Sequence, residues 1–177
     1  GKMTSQSHDK KHSMLDTLLA NIVNSSAIEG EKLNAFSVRS SLANKLGLTE
    51  ETSFPTTEQS DGIAEIMLDA VENLESTLSL KRILNWHEKL FPKGYAMHSP
   101  VIGGQLRGNE PMQVVSGRID RPTVHFEAPP QEVLDTELDN FIQWFNGSKK
   151  EASLDPLLRA AITHLWFVTL HPLYDGN

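Results

Sequence analysis

The 177-residue sequence contains no cysteine, which excludes a disulfide framework and a thiolate metal centre and agrees with a reducing compartment. It also lacks any run of about 18 apolar residues and any charged-then-apolar leader, so no membrane span or signal peptide is predicted. A soluble, cytoplasmic protein without a membrane partner is expected. Basic charge is scarce: 16 Lys and Arg stand against 23 Asp and Glu, for a net charge of -7. A nucleic-acid surface needs clustered cations against phosphates, and this balance argues against one. Internal repeats and low-complexity tracts are absent as well. Hydrophobic content of 38% and charged content of 22% are those of an ordinary globular chain, and the length suits one core.

What is present is mostly helical periodicity. Residues 1–13 are polar without an apolar period and read as a disordered leader. Leu15, Leu18, Leu19, Ile22 and Val23 then keep helical spacing, predicting a helix over 14–29 that stops at Gly30. A short helix over 37–46 ends at Gly47, and 49–60 reads as a polar loop broken by Pro55. Ile63, Ile66, Met67, Ala70, Val71, Leu74 and Leu78 predict a helix over 62–77, and Leu80, Ile83, Leu84, His87 and Leu90 predict another. Between 94 and 130 the period approaches two. Residues 112–115 and 123–126 are β-prone runs around a turn-rich tip at 116–122, a hairpin pattern. Helical spacing returns with Val133, Leu134, Leu138, Phe141, Ile142 and Phe145. Asp155-Pro156 then opens a last helix, with a capping side chain before a proline at the first helical position. Its Leu158, Ala161, Ile162, Leu165 and Val168 point one way while Trp166 and Phe167 widen the apolar surface, so it is expected at the centre of a bundle. The fold class is therefore all-α with a small β-hairpin flap over the end of the last helix. The expected division is the leader 1–13, an N-terminal segment 14–60 and a core 61–177.

That last helix delivers the chain to His171-Pro172-Leu173-Tyr174-Asp175-Gly176-Asn177. An imidazole can take a proton near neutral pH, a carboxylate can hold a hard cation, and glycine lets backbone N–H groups turn toward an anion. Such a set suits the deprotonation of a nucleophile beside a metal-bound phosphate. On residue types alone the heptad would serve equally as a surface turn in which His171 caps the helix carbonyls.

The heptad resembles the signature of the Fic family, His-Pro-Phe-x-Asp/Glu-Gly-Asn-Gly-Arg-x-x-Arg. Leu173 stands where the signature has Phe, and the sequence ends at Asn177, before the Gly-Arg-x-x-Arg part. The resemblance implies the Fic fold, with the core incomplete at its C-terminus, and a protein adenylyltransferase that moves AMP from ATP to a Ser, Thr or Tyr hydroxyl of a target protein. It implies His171 as general base, Asp175 as the holder of Mg2+ on the ATP phosphates, and Gly176 and Asn177 as the start of the phosphate-binding turn. Because the arginines hold the nucleotide phosphates, these 177 residues alone are expected to be inactive.

Ser25-x-x-x-Glu29-Gly30 is similar to the family's inhibitory motif. Four-residue spacing puts Ser25 and Glu29 on one helix face, although a helix ending in a solvated glutamate before glycine is common. The resemblance implies that Glu29 blocks the position of the ATP γ-phosphate, with Ser25 orienting it. For the hairpin it implies target docking along Met112, Gln113, Val114 and Val115, nucleotide contacts from Val115 and Ser116, and a partner strand with Val124, His125 and Phe126. Gly104-Gln105-Leu106-Arg107 resembles the Gly-x-x-Arg element that precedes the flap. His87 is expected to be a buried structural histidine, and His98, His125 and His164 lack ligand spacing, so zinc is not expected. Trp86, Trp144 and Trp166 are expected in the core. Two other readings stand: a relative that transfers phosphocholine or phosphate, and a non-catalytic module that binds nucleotide or a partner. A small apolar patch is compatible with a homodimer.

Overall fold

The periodicities become six helices and one two-stranded antiparallel sheet in a computed structural model, which describes residues 2–28, 34–92, 101–118 and 120–177, with side chains from 9 to 25 in the first stretch. In chain order these are α1 (Lys2–Ile28), α2 (Ala35–Leu46), α3 (Glu58–Glu72), α4 (Leu80–Leu90), β1 (Gln113–Arg118), β2 (Arg121–Glu127), α5 (Gln131–Ser148) and α6 (Pro156–Leu170). The chain forms two units, Gly1–Glu75 with Lys89–Tyr95, and Ser76–Glu88 with Ala96–Asn177.

In the first unit the apolar stripe of α1 meets α2 and α3. Leu15, Leu18 and Ile22 pack with Val38, Leu42, Leu46, Ile63, Ala64 and Leu68. Helix α1 begins at Lys2 rather than 14, so residues expected to form a leader are helical. No glycine or proline interrupts 2–28, and a helix nucleated downstream extends at small cost per residue. Helix α3 starts earlier than predicted because Thr57 and Ser60 form a capping box: each side chain accepts the other's backbone N–H, at 3.1 and 2.8 Å. It also ends earlier, at Glu72 before Asn73, and the long apolar period is not one helix. Leu74 is 66% exposed and Leu78 joins the core of the second unit. Arg39 forks onto Glu50 and also reaches Asp16 at 2.8 Å, tying α1 to α2 and the loop after it.

The second unit is built on α5 and α6 around Phe141, 2% exposed. Its ring meets Trp166 edge-on at 5.8 Å, Phe167 at 5.5 Å and Phe145 at 6.2 Å. Leu78, Ile83, Leu134, Leu138 and Leu170 complete this core. Asn146 fixes the start of α4 by pairing with both backbone groups of Leu78, at 2.8 and 2.9 Å. The last helix is not enclosed, contrary to expectation. Leu157 is 80% exposed, Leu158 53% and Leu165 64%, because α5 covers only the face carrying Trp166 and Phe167 among the described residues.

Strands β1 and β2 are longer than the apolar runs predict, and every described side chain on them is exposed. Gly117 pairs with Pro122 and Arg118 with Arg121, with an irregularity between Val114 and Val115. Gly117 has φ +95°, where a side chain would be strained and a Cβ would lie 3.2 Å from the Arg121 carbonyl. That conformation carries the ladder into the expected tip.

Gly62 on α3 lies directly against the Lys89 backbone. A Cβ there would sit 2.0 Å from the Lys89 carbonyl oxygen. Gly62→Ala is therefore expected to destabilise the first unit by about 1–3 kcal/mol through overpacking, despite the gain in helix propensity. Denaturant unfolding checks this, and an unchanged or raised midpoint contradicts the packing.

Candidate active site

The C-terminal loop is aimed by α6, whose own start is well defined. Asp155 Oδ1 accepts the N–H groups of Leu157 and Leu158 at 2.9 and 3.1 Å, and Pro156 occupies the first turn. At the other end His171 takes the left-handed conformation, φ 46° and ψ 57°. It is the only non-glycine residue with positive φ among the described residues. The position is doubly unfavourable, since left-handed backbone crowds Cβ and the following Pro172 pushes its predecessor toward extended geometry. Such a residue persists only where its surroundings hold it.

Three sets of contacts do so. Pro172 and Leu173 are buried, with Leu173 at the position where the signature has Phe. Asn177 closes the turn: its Oδ1 accepts the Leu173 N–H at 2.8 Å and its Nδ2 donates to the Leu173 carbonyl at 3.0 Å. Those two bonds fix which way the amide faces, and the same Nδ2 lies 3.3 Å from His171 Nε2. The imidazole thus meets a donor at Nε2, which favours the tautomer with its lone pair on that nitrogen. The third contact is Arg107, 3% exposed. Its backbone N–H donates to Pro172 O at 2.9 Å and its Nε to His171 O at 2.6 Å.

Electrostatics follow from this packing. Burial pushes the His171 imidazole below the usual histidine range; the Arg107 charge adds to that, while Asp175 pulls the other way. Asp175 and Gly176 are exposed, and Asp175 Oδ1 accepts the Gly176 N–H at 2.7 Å, with Gly176 at φ 74°. Behind the loop, His87 on α4 is buried and its Nδ1 accepts the Gly104 N–H at 3.1 Å. Burial lowers its pKa, and the backbone and charge of Asp175 oppose that.

A pocket of about 400 Å³ opens beside Arg107, lined also by Gly108, Asn109, Glu110, Met112 and Tyr174. The structure therefore brings His171, Asp175, Gly176 and Asn177 into one loop and sets Met112 at its margin. Gln113, Val114, Val115 and Ser116 lie exposed on β1, where the Ser116 hydroxyl meets the His125 ring of β2. Ser25 is an exposed residue of α1 in the first unit, and Glu29 lies outside the described residues, as does His98. The three tryptophans make aromatic or cation-π contacts, as at Trp144 against Trp166 at 5.5 Å. Sequence reasoning noticed Arg107 only as part of a motif. Its role as a buried donor to backbone carbonyls has no signature in residue type. Among the described residues no three metal-binding side chains cluster, and no helix is long and apolar enough to cross a membrane.

Residues 77–177 match the model of the Fic/DOC family, and residues 1–48 match a domain of unknown function, DUF4172. The chain belongs to the Fic/DOC family. It is similar to a protein adenylyltransferase of Drosophila virilis, 28% identical over 159 residues that make up 88% of this chain and 29% of that protein. It is also similar to protein adenylyltransferase fic-1 of Caenorhabditis elegans, 30% identical over 100 residues, 56% of this chain and 17% of that one. The chain thus spans under a third of the length of these relatives. In fold it resembles the crystal structure of a Fic domain containing signaling protein from Bacteroides thetaiotaomicron, with TM-score 0.57 and 16% identity over 96% of this chain and 67% of that one.

The site predicts a titration. In NMR spectra of the metal-free chain, His171 should titrate below the ordinary imidazole value of 6.5. A midpoint at or above that value contradicts the burial and the neighbouring charge described here.

Proposed function

We propose that this chain is the catalytic-loop portion of a protein adenylyltransferase that transfers AMP from ATP to a Ser, Thr or Tyr hydroxyl of a target protein. The observation that carries the proposal is the 171–177 loop, with His171 Nε2 facing the Asn177 amide, its pKa lowered by burial, in one turn with an exposed carboxylate and a left-handed glycine. The relatives' description as adenylyltransferases supports AMP over phosphocholine or phosphate as the transferred group.

On this reading His171 Nε2 takes the proton of the incoming hydroxyl as its oxygen bonds to the α-phosphorus of ATP. The bond to the bridging oxygen breaks and pyrophosphate leaves. Asn177 keeps the imidazole oriented until the incoming hydroxyl displaces its amide from Nε2, and the left-handed Gly176 would let the loop backbone turn toward the phosphates. Asp175 fits Mg2+, because an exposed carboxylate with a free oxygen suits a cation that takes one or two carboxylates and completes its shell with phosphates and water. Mg2+ held there would neutralise charge on the α- and β-phosphates. The hairpin supports docking of the target segment. Its two strands carry exposed side chains throughout, and main-chain pairing along β1 from Met112 to Val115 would add a strand. Glu29, oriented by Ser25, would block the γ-phosphate position, as the motif implies.

The test uses α-labelled ATP and a protein acceptor, with a polypeptide that continues past Asn177 through the signature's arginines. His171→Ala is expected to reduce label transfer at least a hundredfold, and Glu29→Gly to raise it. Equal labelling by the His171→Ala variant removes His171 from the role of base. A product carrying phosphocholine or phosphate alone, when each donor is offered, replaces AMP as the transferred group.

A further inference from the structure

Arg107 is buried without an acidic partner among the described residues. Its guanidinium donates to carbonyl oxygens from three places: His171 O at 2.6 Å from Nε, Pro129 O from Nη2, and Leu170 O, 3.5 Å from the same nitrogen. Its backbone N–H takes Pro172 O as well. Among the described residues no carboxylate meets the charge, and burial alone lowers its pKa. Burying a cation against carbonyl dipoles is costly unless the geometry is well made. Two of the guanidinium's acceptors are the last carbonyl of α6 and the one that follows it, the negative end of the helix dipole and the strained His171 itself. A residue needed only to fill this volume could be apolar.

We propose that Arg107 is a positioning residue: by binding the carbonyls of Leu170 and His171 through its guanidinium it keeps His171 left-handed and its imidazole presented toward Asn177. The catalytic consequence rests on the reading of His171 as the base; the conformational one does not. Gly104, on which this segment turns at φ +80°, is held by His87, so the support extends from α4 through Gly104 to Arg107 and then to His171. Lysine cannot replace the arginine fork, since one ammonium group cannot reach separated carbonyls in the same plane.

The experiment is residue-resolved hydrogen exchange on the 177-residue chain, with Arg107→Met and Arg107→Lys. In Arg107→Met the His171 and Leu173 amides are expected to lose at least tenfold protection, while Leu138 and Phe141 of α5 keep theirs. Arg107→Lys should show the same local loss, smaller in size, and serves if the methionine variant does not fold. Retained protection at His171 and Leu173 overturns the proposal, and so does equal loss across α5, which makes Arg107 a general stabiliser. In the longer, arginine-containing polypeptide, Arg107→Lys should lower kcat for AMP transfer at least tenfold with KM for ATP nearly unchanged. A raised KM with unchanged kcat also overturns it. If wild type transfers no AMP the proposed function fails, and the exchange result still decides the role of Arg107.

Discussion

A guanidinium buried against backbone carbonyls is the constraint on which the candidate site depends. The strongly apolar α6 would otherwise end in a turn free to relax, because His171 is held in a backbone region that its own Cβ and the following proline both oppose. Arg107 binds the carbonyls on each side of that residue, and Asn177 ties the loop to itself through both backbone groups of Leu173. Strain at a functional loop is stable when rigid neighbours over-determine it. The neighbours here are the buried Pro172 and Leu173, and the buried His87 behind Gly104.

This arrangement also sets the chemistry. The charge that pins the carbonyls lies near enough to the imidazole to disfavour its protonated form, and burial acts the same way. A group that organises the backbone thereby keeps His171 a proton acceptor. Asp175, on the exposed side of the same turn, remains open to a cation and to solvent. One short loop thus combines a half-buried imidazole whose pKa is lowered with an exposed carboxylate.

The helices were legible where local signals agreed. Asp155 accepts the N–H groups expected of a capping residue, and α4 follows its apolar period. Reading failed where a local rule met a competing one. The apolar period that runs from Ile63 to Leu78 suggested one helix, but Asn73 ends α3 and Leu78 is claimed by another core. In α6 an apolar surface on every side suggested enclosure, yet α5 covers a single face and leaves Leu157, Leu158 and Leu165 in solvent. Composition reports how much apolar surface a helix has, not how much of it finds a partner.

For the site, the sequence by itself determined the chemical groups and their order. The heptad from His171 to Asn177 places base, carboxylate and glycine within one turn whatever the fold, because seven residues cannot separate far. The tertiary structure alone decided that His171 is left-handed, that Asn177 faces its Nε2, and that Arg107, 64 residues earlier, meets its carbonyl. The Arg107 contact depends on packing between distant segments, and its acceptor is a backbone oxygen of the kind every residue carries. Nothing in a one-dimensional pattern distinguishes the carbonyls an arginine will find.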